Sequence, residues 1–295
     1  MLFNYMNKLK LLYVIAFMMI HKIAFAIDLQ PGEVKAPLGT FYAAQMSYVN
    51  VEKGNKYSHG SKTPTPSNIN QDAFLLRLSH AFEVNQMPAV VYAQSSINHL
   101  ENRDVLNVAN TNSNGIGDTT LVFALWPYVD RTKEEYLGMA AYLTIPTGDY
   151  DRNRAFNIGS NIYQTALQAG YQRKLIDNIN WMTALDVTLS GDNKQYYQPL
   201  GNKLEKDPLY NFQTGLQYVI NPTYSMAMTY FYGVGGETTL DGMDRGDITK
   251  THRYQLTGIG VYNFGRLTLQ YGSEFTNENS YIEDHRLIAR YSFKF

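Results

Sequence analysis

Apolar and polar residues alternate along most of this chain, in short segments separated by Gly, Pro, Asn and Asp. A period of two marks a β-strand, whose successive side chains point to opposite faces. The pattern predicts strands at 39–51, 72–84, 89–99, 117–126, 135–146, 159–173, 180–190, 208–220, 223–234, 251–263, 266–276 and 284–295. In the fifth, Leu137, Met139, Ala141, Leu143 and Ile145 share a face opposite Tyr136, Gly138, Ala140, Tyr142 and Thr144. In the eighth, Tyr210, Phe212, Leu216, Tyr218 and Ile220 oppose Asn211, Gln213, Gly215 and Gln217. In the eleventh, Leu267, Leu269, Tyr271 and Phe275 oppose Thr268, Gln270, Gly272 and Glu274. The ninth and tenth carry Gly and Tyr on both faces, and their pattern does not choose.

The connections alternate in length. Long ones fall at 52–71, 100–116, 147–158, 191–207, 235–250 and 277–283, short ones at 85–88, 221–222 and 264–265, and intermediate ones at 127–134 and 174–179. Bacterial membrane barrels have short periplasmic turns and long extracellular loops. Each predicted strand has at least the ~9–11 residues that a tilted membrane strand needs. The expected fold is therefore all-β, a transmembrane antiparallel up-and-down β-barrel of about 12 strands, with ten or fourteen also compatible at this precision of strand ends. A sheet in hydrocarbon cannot leave edge groups unpaired, so 39–51 should pair with 284–295.

The two ends of the sequence fit that fold. In 284–295, Leu287, Ala289, Tyr291, Phe293 and Phe295 oppose Arg286, Ile288, Arg290, Ser292 and Lys294. An aromatic last residue is common in outer-membrane barrels, and the apolar face would meet lipid while the basic face meets the lumen. Residues 1–26 read as a signal peptide: Lys8 and Lys10, an apolar run over 11–20, then Ala24-Phe25-Ala26 as the cleavage site. The expected divisions are 1–26 as signal peptide, 27–38 as a periplasmic segment that reaches the lumen as a small plug, and 39–295 as the barrel. The location that follows is the bacterial outer membrane.

Composition narrows the chemistry. Tyr numbers 24 of 295 residues against 2 Trp, and Tyr suits a membrane interface. Cys is 0, which removes disulfides, thiolate nucleophiles and Cys-ligated zinc. Loss of Lys8, Lys10 and Lys22 with the signal takes the formal charge from -1 to -4, unlike a nucleic-acid binder.

Two segments carry a family resemblance. Gly115-Ile116-Gly117-Asp118 enters one strand, and Pro146-Thr147-Gly148-Asp149-Tyr150 ends the next hairpin. Asn157-Ile158-Gly159-Ser160-Asn161 follows, and Leu29-Gln30-Pro31-Gly32 and Pro37-Leu38-Gly39-Thr40 come earlier. In this order the motifs resemble the phenol-degradation MetA-pathway family. The resemblance implies a transporter-like outer-membrane barrel and aromatic compounds as a solute class. It implies no catalytic residues.

Read by themselves, the glycines permit tight backbone at a loop entrance, and Pro146 ends a strand. A sharper reading has Asp149, Tyr150, Asp151, Arg152 and Arg154 fold into the mouth as a constriction. Asp149-x-Asp151-x-Asn153 imitates a calcium loop, but Arg154 and Ser160 stand where Gly and Glu are needed. Arg286, Arg290 and Lys294, extended by Arg77 and Arg253, form either a wall lattice paired with Glu274, Glu83 or Asp186, or a track for anionic solutes. For catalysis, Ser95, Ser96 and His99 with Glu101 and Asp104 are the best constellation, and they match no known motif. No phosphate loop or spaced His site is visible, so no enzyme, metal or cofactor is expected.

The expected function is a passive outer-membrane channel for small molecules, hydrophobic or aromatic ones included. The alternative is a non-transporting barrel: a hydrolase, an adhesin or a structural protein. Expected partners are outer-membrane lipid and lipopolysaccharide, the barrel-assembly machinery through the last strand, and a small-molecule solute, with no nucleic acid.

Overall fold

The computed structural model describes residues 27–64, 67–103, 111–197 and 200–295. The expected signal peptide lies outside them. Among the described residues there is no helix, and twelve strands form one closed ring. They are β1 (Phe41–Ser58), β2 (Asn68–Val84), β3 (Met87–Arg103), β4 (Thr119–Asp130), β5 (Glu135–Ile145) and β6 (Gln164–Ile176). There follow β7 (Ile179–Ser190), β8 (Leu209–Val219), β9 (Tyr224–Gly235), β10 (Thr249–Tyr262), β11 (Gly265–Asn277) and β12 (Tyr281–Lys294).

Each strand pairs antiparallel with its neighbour in sequence, and β1 pairs with β12 from Ala43 opposite Lys294 to Val51 opposite Arg286. Beyond the seam, Tyr42 and Phe295 exchange backbone hydrogen bonds of 3.2 and 2.9 Å. The short strand Thr111–Ile116 extends β3, and Ser61–Lys62 folds back on β1. Leu204–Lys206, Thr238–Leu240 and Met243–Asp244 make a small sheet among the long loops.

The faces sort as the alternation predicts. Leu78, Leu121, Met139, Leu167, Leu185, Leu216, Leu256, Leu269 and Leu287 all point outward and stay exposed. Inward lie the buried Gln94, Thr120, Gln168, Gln213, Gln255 and Gln270. The two ambiguous strands resolve the same way: Met226 and Met228 face out and Phe231 in, while Leu256 faces out and Arg253 in. At the short-turn end, ring contacts run Phe82, His80, Tyr42, Phe295, Phe293, Tyr291, Phe264, Tyr262, Tyr224. That is half of an aromatic girdle at a membrane interface.

Some expected bounds need correction: most of 100–116 is strand, and β4 runs on to Asp130. The connection 52–71 is largely strand, because β1 and β2 continue their ladder as far as Lys53 opposite Ile69. The strand expected from Gly159 starts at Gln164 instead. Its first N–H groups are spent elsewhere: Gly159 donates to Asp149 O at 2.8 Å, and Ser160 to Asp118 Oδ2 at 2.7 Å.

The outward face generates a stability prediction. Leu269 is 64% exposed near the middle of β11. Leu269→Arg should destabilise the barrel in lipid vesicles by ~2–4 kcal/mol, the cost of a cation at the bilayer midplane. Equilibrium unfolding in denaturant measures it, and a change below ~1 kcal/mol would mean that this face does not meet hydrocarbon.

Candidate lumen site

Residues 27–38 run through the inside of the ring and make hydrogen bonds or ion pairs with eight strands. Asp28 Oδ2 lies 2.5 Å from Arg253 Nη2 on β10 and 3.7 Å from Arg286 Nη1 on β12. Ile27 O accepts from Gln168 on β6 at 2.8 Å, and Leu29 N donates to Gln213 on β8 at 3.3 Å. Gln30 Nε2 donates to Gln45 on β1 at 3.3 Å, and Pro31 O accepts from Arg266 on β11 at 2.7 Å. Glu33 pairs with Arg77 on β2 at 2.7 Å, and Val34 O accepts from the Trp126 indole on β4 at 2.7 Å. Val34 and Ala36 pack with Trp126, Tyr136 and Met182. Gly170 makes room for this packing, since a Cβ there would sit 3.1 Å from Val34 Cγ2 and 3.2 Å from Leu29 Cδ1.

The opposite end is narrowed by the loop between β5 and β6. Phe156 is buried against Ile69 of β2, Leu100 of β3 and Tyr281 of β12. Of these strands β12 lies across the ring from the loop's own anchors, β5 and β6, so the loop reaches over the mouth. Asp118 holds its two ends. Its Oδ1 accepts from Gly148 N at 2.9 Å, and its Oδ2 accepts from the backbone and hydroxyl of Ser160. Asp149 accepts from Ile116 N at 2.7 Å. The motif glycines are packing requirements here: a Cβ on Gly115 would meet the Asp149 carboxyl at 2.1 Å, and one on Gly159 would meet the Gly148 carbonyl carbon at 2.4 Å.

A cavity of about 440 Å³ lies between the segment and the loop. Its wall includes Tyr142, Phe156, Phe231 and Tyr281 beside Gln94 and Asn98. Burial raises the pKa of the Tyr150 and Tyr196 phenols and lowers that of the Lys206 ammonium at the loop end.

The residues singled out in the sequence have these places. Arg253, Glu274, Arg286 and Asp186 all line the cavity. Arg286 makes a two-pronged bond to Glu283, 2.8 Å on each prong, which differs from the partners proposed for it. Glu274 accepts from Asn277 at 3.0 Å and from Glu283 N at 2.9 Å. Asp186 is held by Asn211 at 2.7 Å and Gln168 at 3.4 Å, and Glu83 is exposed. Arg77 and Arg290 belong to the wall below, with Arg77 stacked 4.2 Å over Tyr92. Arg290 Nη1 is buried without a hydrogen-bond partner. Lys294 is exposed at the rim, 3.8 Å over the Phe41 ring. In the mouth loop, Tyr150 bonds Gln195 O and Asn193, and Arg154 lies 3.6 Å from Asp151. Arg152 Nε is buried without a partner.

Sequence reasoning missed Asp28, Glu33 and Glu283 as partners of the arginines, and Asp118 as the clasp. The available signal was two acids in a short leader that precedes strands with a basic inward face.

The fold has known counterparts. The chain is similar to the COG4313 outer membrane channel from Pseudomonas putida F1, at 24% identity and TM-score 0.82, covering 91% of this chain and 100% of that one. It is also similar to the β domain of the Bordetella autotransporter BrkA, at 8% identity and TM-score 0.55, covering 86% and 99%. A deletion mutant of the TodX monoaromatic hydrocarbon channel matches at 11% identity and TM-score 0.51, covering 88% and 91%. Among curated proteins none matches the chain. These likenesses establish the outer-membrane barrel fold, and with it contact with membrane lipid. A family model matches residues 53–291, most of the chain, so this protein belongs to the family described as "Putative MetA-pathway of phenol degradation".

Proposed function

We propose that this barrel is a passive outer-membrane channel for small molecules, aromatic compounds among them. Residues 27–38 act as its plug, and the loop between β5 and β6 as its constriction. The observation that carries this reading is the cavity enclosed between those two elements, where rings and amides share the wall. Such a mixture suits solutes with an apolar body and few polar groups. The family's phenol-degradation description and the monoaromatic hydrocarbon channel among the similar folds support the same solute class.

The lumen reads as a solute path and not as a reaction centre. His99 Nδ1 lies 2.6 Å from Asn114 Oδ1, and its Nε2 lies 3.3 Å from Glu101. Ser95 donates instead to Gly117 O at 3.4 Å, and Ser96 accepts from Asn98. A nucleophile and its base need a shared hydrogen bond, so this constellation supports no triad. Asp104 lies outside the described residues. For partners beyond bulk lipid, the aromatic band around Phe295 at the short-turn end is a surface for phospholipid headgroups, and lipopolysaccharide would meet the barrel at its long-loop end. The outer edge of β12 before closure is the segment offered to the barrel-assembly machinery.

Planar-bilayer recording and liposome uptake of phenol test the reading. Ion conductance together with faster phenol uptake than in protein-free vesicles is expected, and a barrel silent in both assays would reject it. Deleting residues 27–38 should raise single-channel conductance several-fold, and unchanged conductance would contradict the plug. Asp118→Ala should free the mouth loop at a local cost of ~1–3 kcal/mol and raise conductance or its noise. Unaltered traces would remove the constriction.

A further inference from the structure

One side of the cavity holds a connected group of three cations and three carboxylates: Lys53, Arg253, Arg286, Asp28, Glu274 and Glu283. Cross-strand register sets Lys53 opposite Glu283 and Arg253 opposite Glu274. Glu283 also takes the fork of Arg286. Five members belong to the wall. Asp28 alone is carried by the inserted segment, outside any strand. With Asp28 present the group balances, and without it a single positive charge remains. Asp186 also lines the cavity, but its bonds go to Asn211 and Gln168.

The seat of Asp28 is built for a carboxylate. Its oxygen meets Arg253 Nη2 at 2.5 Å and Arg286 Nη1 at 3.7 Å. The Arg253 guanidinium stacks 4.1 Å over the Phe231 ring, and its Nη1 is buried without a hydrogen-bond partner. A planar guanidinium on an aromatic face, beside a cavity of about 440 Å³, matches a one-ring acid in charge and in shape.

We propose that Asp28 occupies a binding site for small aromatic monocarboxylates, and that such solutes bind by displacing it. The tip of the segment holds to the wall through Ile27 O and Leu29 N. The contacts of Glu33 and Val34 with Arg77 and Trp126 retain the rest, so the tip can withdraw while the plug stays seated. A tethered carboxylate competes at high effective concentration, which keeps the site closed to dilute acids. This inference rests on the reading of the lumen as a solute path.

Calorimetric titration of the full-length barrel in neutral detergent tests it, with benzoate and benzamide as probes. Asp28→Asn removes the competing charge at constant size. It should tighten benzoate binding by about tenfold or more and leave benzamide unchanged. Adding Arg253→Gln should abolish the gain. Where that double variant does not fold, shown by loss of heat-shifted gel mobility, Phe231→Leu beside Asp28→Asn should reduce the gain instead. Equal benzoate affinity in Asp28→Asn and the unaltered protein would overturn the proposal, as would an equal gain for benzamide. A barrel that conducts but shows no gain rejects the site and leaves the channel. A gain in a barrel that does not conduct keeps the site and rejects the channel.

Discussion

Every other feature of this protein depends on closure of the sheet between β1 and β12. In hydrocarbon an unpaired backbone group costs several kcal/mol, so a membrane sheet cannot keep an edge. The seam runs in register from Ala43 and Lys294 to Val51 and Arg286, and Tyr42 and Phe295 finish it with reciprocal bonds. Once the ring is closed, each strand has one lipid face and one lumen face. The alternating sequence then has a single consistent solution, Leu and Met outward and Gln, Thr and Arg inward.

Closure creates a second problem inside. A twelve-strand ring is wider than one that side chains fill, and narrower than an open porin. Inward charges in that space need partners. The wall supplies some itself, as in the two-pronged bond between Arg286 and Glu283. The segment 27–38 supplies others, through Asp28 and Glu33. Electrostatics and packing therefore point to the same place: the leader neutralises arginines and fills volume at once. The mouth loop does the corresponding work at the far end, where Asp118 spends both carboxylate oxygens to hold it across the bore. The proposed channel is thus the space left between two inserted elements.

The strands were legible because period two is local. All twelve predicted segments overlap strands of the ring, and the faces of β5, β8 and β11 follow the pattern residue by residue. The lumen partners were not legible, because they join residues far apart in sequence. Asp28 and Arg253 are separated by most of the chain, and no periodicity relates them. The start of β6 failed for a related reason. Its sequence alternates acceptably from Gly159, but Asp118 captures the backbone that would have continued the ladder. The motif glycines could be placed as tight backbone, while what they make room for, such as the Asp149 carboxyl beside Gly115, is a tertiary fact.

In the proposed channel the inserted segment controls passage through the lumen. The chain has no cysteine, so an engineered pair reports without background. Val34 and Gly170 are in packing contact across the segment and β6. A Val34→Cys/Gly170→Cys barrel, oxidised and then reduced in one planar bilayer, puts this control to the test. Low, quiet conductance is expected while the pair is locked, and higher, fluctuating conductance after reduction. Identical traces in the two states would mean that the segment does not gate the lumen.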